Sequence, residues 1–341
     1  MLESRVFISH RFAFKTRRAL AWFGVCCLMW LFTQPISPIL LAEGPPAKPA
    51  WKSHPVLDWA NGVAPKAELP DSLRSLGAEQ ELAADTTVTP LTRVVPNRAF
   101  FVGEKLYFKI KYGLFRAGSA TMEVLDSIQV SKGRTAYRIR TTARSSKFFD
   151  WFYKVRDSVE TYLDTRGMFS WRFYKRLREG GFKFDLLAEY NQTNRKARVQ
   201  LVRYHNETPL RVRKKEVIEL PLPPYVLDVL ASFYYVRTQP LEVGMPLFLP
   251  THNNRKVYIM QVIVQKEEVI RVAAGTFRCL KLLPRLQGEA IFKQKGRLWV
   301  WVTDDELHIP VLMKSKVAVG QITTELYQME GVKGPLPSRI E

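Results

Sequence analysis

The densest group of ionisable side chains lies in one short segment, residues 303–308, with the sequence TDDELH. Asp304, Asp305 and His308 could together bind a metal ion or perform acid–base catalysis, because carboxylates and imidazole are the usual groups for both tasks. The same segment lies between two apolar runs, RLWVWV and IPVLM, where Asp-Asp is ordinary turn chemistry. We therefore favour a hairpin turn over a catalytic site here, and retain these three residues as the catalytic candidates.

Basic side chains form a second candidate group, suited to binding rather than catalysis. Arg138, Arg140 and Arg144 share one strand face, and Arg172 and Arg176 share another. If those strands are neighbours, the arginines form a basic sheet surface that could meet the anionic groups of lipids, lipopolysaccharide or peptidoglycan. The alternative is that these residues only keep the polar face of a sheet in water.

Tryptophans complete the predicted ligand-binding set. Trp171, Trp299 and Trp301 place large apolar rings in predicted strands, the last two at alternating positions. Such rings normally fill a closed core. In a concave sheet they could instead line an apolar groove for an acyl chain, with basic residues at its rim. The alternation does not separate these two arrangements, because filled and hollow barrels share it.

These side chains must be positioned by β-strands, because from Phe100 onward apolar residues recur at every second position. In KLYFKIKY, residues 105–112, Leu106, Phe108 and Ile110 fall on one face, and lysines fall on the other. Similar runs separated by short turns continue along most of the chain. More than a dozen strands without βαβ alternation predict a mainly β fold, a large curved antiparallel sheet or half-open β-barrel.

One segment, PPYVLDVLASFYYVRTQP, interrupts the β pattern. It begins with two prolines and ends at a third, and it places Val226, Leu230 and Phe233 at helical spacing. Asp228 lies near the N-terminal end, where a carboxylate is favoured. We predict one helix over about 225–237.

The first 42 residues carry the features of an export signal. Five basic residues against one acidic residue precede an uncharged run, Ala19–Leu41, which prolines break near its end. We predict a cleaved signal peptide over 1–42; the run is also long enough for an uncleaved signal anchor, which would hold the protein at the inner membrane. We predict that a Pro-rich tether over 43–96, an antiparallel β domain over 97–331 and a C-terminal tail over 332–341 follow.

Composition limits the classes of function. The 341-residue chain has a formal net charge of +20, which falls to +16 without residues 1–42, with 47 basic and 31 acidic residues left. An exported chain without a nucleic-acid motif is a poor partner for nucleic acid despite this charge. No zinc-type Cys/His spacing, P-loop or G-x-S-x-G motif is present, so we predict no metal and no cofactor. Cys279 is predicted to be a buried, inert thiol.

Several segments together resemble the bacterial family called domain of unknown function 3108, over about Phe100 to Met329. They are FFVGEKLYFKIKYGLFRAGSATMEV, KVRDSVETYLD, LDVLASFYYVRTQPLEVG, AGTFRCLKLLP and GRLWVWVTDDELHIPVLMKSKVAVGQITTEL. The resemblance implies an exported envelope protein with a curved antiparallel β domain, and it supplies no activity. A more distant likeness, of architecture only, is to the lipoprotein-localisation carriers, in which a half-open β-barrel covers an apolar cavity.

Three hypotheses about function follow from these patterns. The first is a non-enzymatic envelope protein, periplasmic or associated with the outer envelope, that binds a lipid-like or amphipathic anionic ligand. The second is a structural or assembly factor that binds another envelope protein through sheet edges and the Pro-rich arm. The third is a cell-wall or glycan hydrolase that uses Asp304, Asp305 or His308. The sequence leaves the oligomeric state open.

Overall fold

The computed structural model describes residues 90–286, 298–316 and 320–340, so the predicted signal segment and most of the predicted tether lie outside the described residues. The elements run in chain order as β1 (Lys105–Tyr112), β2 (Phe115–Ser131), β3 (Arg134–Ser145), α1 (Lys147–Tyr153), β4 (Arg156–Asp164), β5 (Ser170–Glu179), β6 (Phe182–Asn191), β7 (Lys196–Tyr204), β8 (Val212–Pro221), β9 (Leu227–Asp228), α2 (Val229–Arg237), β10 (Pro246–Asn253), β11 (Lys256–Val272), β12 (Gly275–Leu286), β13 (Leu298–Thr303), β14 (Pro310–Lys316) and β15 (Gln321–Glu330).

The described strands form one 15-stranded sheet in the order β8-β7-β6-β5-β4-β3-β2-β1-β15-β14-β13-β12-β11-β10-β9. Neighbouring strands are antiparallel except for the short β9, which lies parallel to β10. Hairpins connect most neighbours, as the short turns of the sequence predict. β1 and β15 join the two wings of the sheet, with Lys105 opposite Glu330 and Tyr112 opposite Ile322.

The sheet curls until its two ends approach each other. Tyr190 on β6 lies with its hydroxyl 2.8 Å from Nδ1 of His252 on β10. Arg255, in the β10–β11 turn, donates two hydrogen bonds to Glu216 on β8, at 2.8 and 3.0 Å. Within the described residues, no backbone ladder joins β8 to β9 or β10. Side-chain contacts bridge this gap, together with one backbone hydrogen bond from the Ser170 amide of β5 to the Val226 carbonyl before β9, at 3.1 Å. The prediction of a half-open β-barrel is therefore confirmed.

The inner face of the curled sheet and α2 share the main core. Leu106, Phe108 and Phe173 from the strands and Tyr234 from α2 are completely buried in it. Burial alternates along the strands, as in β1 and β5, so one face is apolar and the other polar. Of the described helices, neither has the length and hydrophobicity needed to cross a membrane.

The structure differs from the predicted elements in three places. The predicted helix 225–237 begins at Val229, because Leu227 and Asp228 are extended and Asp228 caps the helix. The run FYKVRDSVETYL, residues 152–163, is one of the runs whose two-residue alternation predicts a strand, but it begins as the end of α1 and becomes strand only at Arg156. β8 was not predicted, because its ten residues contain none that is buried and its charges hide the alternation.

Candidate functional site

The three catalytic candidates lie in the β13–β14 turn, as the turn interpretation predicts. Both carboxylate oxygens of Asp305 accept hydrogen bonds from protein groups: Oδ1 from Thr303 Oγ1 at 2.8 Å and Oδ2 from Ser338 Oγ at 2.5 Å. His308 Nδ1 donates to the Arg237 carbonyl at 2.9 Å, and burial lowers the pKa of His308. The Asp304 backbone amide donates to the Arg278 carbonyl at 3.0 Å. These contacts order the turn and its neighbours.

Among the described residues, no group of three or more His, Cys, Asp or Glu side chains could hold a metal ion.

The predicted arginines do share the outer face of the sheet, on two strands that are separated by one other strand. Arg138, Arg140 and Arg144 alternate with buried residues of β3, and Arg172 and Arg176 alternate with buried residues of β5. β4 lies between these two strands and completes the surface.

Acidic residues on the same face neutralise much of this predicted basic surface. Arg138 pairs with Asp126 at 2.7 Å, and Arg140 pairs with Glu160 at 2.6 Å. Arg172 pairs with Glu189 at 2.9 Å; in the described part of the chain Arg144 and Arg176 have no ion pair. Most of the predicted arginines therefore serve cross-strand pairing on a solvated face.

The three predicted tryptophans lie in two separate places. Trp171, at the start of β5, donates from Nε1 to Asp164 Oδ2 at 3.0 Å and stacks near Phe169. Trp299 and Trp301 lie on the outer face of β13, whereas Leu298, Val300 and Val302 of the same strand enter the main core. The predicted site thus separates into an arginine surface on one wing and a tryptophan pair on the other.

The tryptophan pair forms the floor of an open groove of about 520 Å³. We call it the Trp–Lys groove; its lining residues are Glu268, Val269, Ile270, Lys281, Trp299, Trp301, Lys314 and Gln321. Trp301 is packed from behind by a small outer cluster of Phe277, Cys279, Val311 and Leu312, which fixes its ring. The volume falls within the range of about 300–1,000 Å³ that is usual for ligand pockets.

Two lysines give this groove its positive charge. Lys281 Nζ lies 4.9 Å from the ring centroid of Trp301 and 5.9 Å from that of Trp299. Lys314 Nζ lies 5.5 Å from the Trp301 centroid, on the neighbouring strand. Ammonium groups are attracted to indole faces at such distances, so both charges are held above the aromatic floor.

Among the described residues that line the groove, Glu268 is the acidic one. It accepts from Trp301 Nε1 and pairs with Lys266 at 2.6 Å, whereas Lys281 is 4.0 Å away. Burial opposes its ionisation, but the hydrogen bonds from Lys266 and Trp301 outweigh that effect and lower its pKa. Glu268 is thus ionised and paired with Lys266. The lining residues include two lysines and this one carboxylate, so their net charge is positive.

Sequence reasoning missed Lys281 and Lys314. Lys281 lies in FRCLKLL, which was interpreted as an apolar run around a buried cysteine. Cys279 is indeed completely buried, and burial raises its pKa to about 12. Strand alternation places Lys281 on the same face of β12 as Cys279. That Lys281 lies opposite Trp301 follows only from the register between β12 and β13, which the sequence does not reveal.

The concave side offers little room beneath α2. A pocket between α2 and strands β11–β13 is lined by Phe233, Leu241, Met260, Val262 and other apolar residues. Its cavity volume is about 30 Å³. That space suits water-sized molecules and not an acyl chain. The expectation that apolar residues of the concavity hold a lipid chain is not met at this position.

A buried polar network fixes α2 against the sheet. The Arg237 guanidinium makes a two-pronged ion pair with Glu104 on the segment before β1, at 2.7 and 2.8 Å, and also donates to the Ala99 and Leu307 carbonyls. At the other helix end Asp228 accepts from Thr161, Ser170 and two helix amides. Burial raises the pKa of Asp228 to about 6. Both ends of α2 are therefore held by side chains from distant strands.

The fold and groove define a half-open β-barrel-like protein with an external aromatic and basic groove. The chain belongs to the family described as Protein of unknown function (DUF3108), whose profile matches residues 107–327. This confirms the resemblance that the sequence motifs predict. Comparison with curated proteins found no match.

Solved structures of similar architecture come from three bacteria. A β-barrel-like protein of domain of unknown function DUF1849 from Brucella abortus is 10% identical, with a TM-score of 0.44, over 70% of this chain and 98% of its own. An exported protein with a YmcC-like fold from Bacteroides fragilis is 9% identical, with a TM-score of 0.30, over 70% and 98%. A lipoprotein from Parabacteroides distasonis is 12% identical, with a TM-score of 0.30, over 72% and 99%. At these values the likeness supports no conclusion about function.

Proposed function

We propose that this protein is a non-enzymatic, exported envelope protein that binds an anionic amphipathic ligand in the Trp–Lys groove. The observation that carries the proposal is the placement of two lysine ammonium groups, Lys281 and Lys314, over an indole floor in an open groove. The export signal that the sequence predicts over residues 1–42 supports the envelope location.

The groove offers complementary contacts to both parts of such a ligand. The two ammonium groups are suited to a phosphate or carboxylate, because both are charged donors that can turn away from the indole faces. Trp299, Val269 and Ile270 line the groove with apolar surface for a ring or a short chain. Lipid headgroups and acidic glycans share this chemistry, and both occur in bacterial envelopes.

A fluorescence titration with three soluble probes tests the proposal. The probes are dihexanoylphosphatidylglycerol, the neutral-overall dihexanoylphosphatidylcholine with identical chains, and a galacturonic acid hexamer. We expect tryptophan emission to change with the anionic lipid or the acidic glycan, and not with phosphatidylcholine. The anionic probe that binds identifies the source of the ligand.

Lysine variants of the intact protein locate the binding site. Lys281→Gln combined with Lys314→Gln should weaken binding at least about tenfold, because a charge-assisted hydrogen bond contributes about 1.5–3 kcal/mol. The matched control is Lys333→Gln, since Lys333 Nζ lies 5.7 Å over the Phe101 ring outside the groove. Wild-type protein that binds neither anionic probe, or a double variant that binds as well as wild type, would refute the proposal.

A further inference from the structure

Five large apolar side chains are exposed together at one end of the sheet. Leu114 is 97% exposed and Phe115 68%, in the β1–β2 turn, and Phe148, Trp151 and Phe152 of α1 are 67%, 84% and 51% exposed. We call these five residues the aromatic tip. A monomeric soluble protein rarely exposes so many large apolar groups in one place, and such patches mark interaction sites.

The turn and the helix that form the tip are joined by hydrogen bonds. The Ser146 amide, at the start of α1, donates to the Ala117 carbonyl of β2 at 2.8 Å. Within α1, the Trp151 and Phe152 ring centroids are 4.7 Å apart, and those of Phe148 and Phe152 are 5.4 Å apart, both edge to face. The exposed residues of the β1–β2 hairpin and those of α1 therefore lie at the same end of the sheet, on two segments that are hydrogen-bonded to each other.

A polar anchor beneath α1 holds the aromatic tip outward. Asp150 accepts from both terminal nitrogens of Arg156, at 2.9 and 2.5 Å, and from Ser145 Oγ at 2.5 Å. α1 itself contains no fully buried residue. Its Phe149 and Tyr153 rings are half-buried, whereas those of Phe148, Trp151 and Phe152 are exposed. Asp150 thus faces the protein, while Phe148, Trp151 and Phe152 face solvent. The ion pair and hydrogen bonds of Asp150 therefore hold these three rings outward in a fixed orientation.

Positive charge surrounds the aromatic tip. The two segments that carry it, residues 111–118 and 144–156, contain six basic residues and one acidic residue. The acidic residue is Asp150, which is already engaged by Arg156. Arg116, Lys147 and Lys154 are exposed around the rings. Charge of this sign complements an anionic surface.

We propose that the aromatic tip docks this protein on an anionic lipid bilayer. Tryptophan and phenylalanine side chains settle at the boundary between headgroups and acyl chains, with Leu114 entering deepest because it is the most exposed. The surrounding lysines and arginines then meet the anionic headgroups. The Gly113 amide donates to the Gln321 carbonyl at 3.4 Å, and Gln321 borders the Trp–Lys groove. The docked orientation therefore brings that groove near the headgroups.

Hydrogen exchange of the intact chain with and without vesicles tests this docking. We expect slower exchange in residues 111–118 and 146–153 on vesicles of phosphatidylglycerol and phosphatidylethanolamine, and unchanged exchange on phosphatidylcholine vesicles. The readout is local, so an apolar run elsewhere in the chain cannot produce it. Equal slowing on both vesicle types, or slowing in neither, overturns the proposal.

Tip variants supply the second part of the test. Leu114→Asp combined with Phe115→Asp should weaken vesicle binding at least about tenfold, since the apolar area that enters the bilayer is lost. Arg116→Gln and Lys147→Gln should each weaken it about fivefold. Val243→Asp, at an exposed valine outside the tip, is the matched control and should bind as wild type.

Competing occupants of the tip give distinguishable results. Concentration-dependent slowing of exchange at the tip without vesicles would show a second copy of this chain there, and would overturn the bilayer as occupant. The test of docking by the aromatic tip is also independent of the test of ligand binding in the Trp–Lys groove. The groove variants Lys281→Gln and Lys314→Gln leave the aromatic residues of the tip unchanged, and the tip variants leave both groove lysines in place.

Discussion

The residues that carry the family resemblance form the buried polar network of this protein. Glu104 and Arg237 pair with each other at less than 3 Å while both are almost fully buried, and Asp228 caps α2 from inside the core. Removing one partner of such a pair leaves an uncompensated buried charge, which is costly. These motif residues therefore specify how α2 sits in the sheet, and they are poor candidates for ligand contact.

His252 makes the stability of the protein depend on pH. Its Nε2 donates to the Asn254 carbonyl at 3.0 Å, and its Nδ1 accepts from the Tyr190 hydroxyl. Both nitrogens of the neutral imidazole ring therefore have a hydrogen-bond partner. Burial and, to a smaller extent, the nearby Lys175 charge lower the pKa of His252 to about 4, against the opposing effect of the hydrogen bond to Asn254.

We predict that the free energy of unfolding rises between pH 4 and pH 6.5 because of His252. In that range the unfolded chain, with an ordinary histidine pKa of about 6.5, binds a proton that the folded chain does not. From pH 4.5 to 7.5, wild type should gain about 2–3 kcal/mol more than His252→Gln, measured by urea unfolding. An equal gain in both proteins would contradict this. Because each protein is compared with itself at two pH values, the constant loss of stability caused by poorer packing of the substituted glutamine cancels.

Sequence reasoning identified side-chain faces better than side-chain partners. Alternation placed Arg138, Arg140 and Arg144 on one face of β3, which is correct. Their acidic partners are on other strands, such as Glu160 for Arg140, and a one-residue change in register would replace every partner. The ion pairs that neutralise the predicted basic surface could therefore not be read from the sequence.

At the scale of elements, α1 and the β1–β2 turn depend on close approach of β2 and β3. Gly118 lies opposite Ser145, just before α1. A Cβ added to Gly118 would lie 2.1 Å from the Arg144 carbonyl oxygen, which is backbone and cannot rotate away. The hairpin can keep its spacing only with glycine at this position.

We predict that Gly118→Ala destabilises the protein by about 1–3 kcal/mol, because the strands must separate to admit the methyl group. Urea unfolding measures the effect. Gly181→Ala is the matched control: the nearest atom to its added Cβ is a side-chain atom 3.6 Å away, so the change should stay within about 0.5 kcal/mol. Equal stabilities of the two variants would rule out the close-approach explanation.

The helices show where an element can be predicted and where it cannot. α2 has a capping residue, flanking prolines and mostly apolar residues that are buried on nearly all sides, and the cap, the prolines and the apolar residues are visible in the sequence. α1 has seven residues and no buried face, so the helical period that would predict it is absent. Large aromatic residues normally lie in the core, whereas Trp151 and Phe152 lie in solvent.

At the scale of the whole molecule, the gap between the two ends of the sheet is bridged by Arg255 and Glu216. The two-pronged hydrogen bond from Arg255 lowers the pKa of Glu216 to about 2 against the smaller opposing effect of burial. The strand order explains why β8 meets the β10–β11 turn without a backbone ladder, since β8 ends one wing and the short β9 ends the other. The gap thus lacks the continuous backbone hydrogen bonds that join the other neighbouring strands.

We predict that Glu216→Gln speeds hydrogen exchange in β8 and in the β10–β11 turn by up to about fivefold, because a partly exposed ion pair contributes at most about 1 kcal/mol. Mass spectrometry of the exchanging protein measures this. Glu207→Gln is the matched control, since Glu207 pairs with Arg211 within the β7–β8 connection and not across the gap. Unchanged exchange in the β10–β11 turn of Glu216→Gln would show that the pair does not hold the ends together.

The strand order has a consequence for how the chain reaches this shape. Along the described sheet, each hydrogen-bonded pair of neighbours is consecutive in sequence except β1 and β15. Each wing can thus form by successive local hairpins, whereas the β1–β15 ladder must bring Lys105 to Glu330 across nearly the whole domain. Contacts so distant in sequence form slowly, because the loop-closure entropy must be lost before they contribute. We therefore expect the joining of the two wings to be the slowest step of folding; until it occurs, β1 and β15 each expose an unpaired edge on which other copies of the chain can associate.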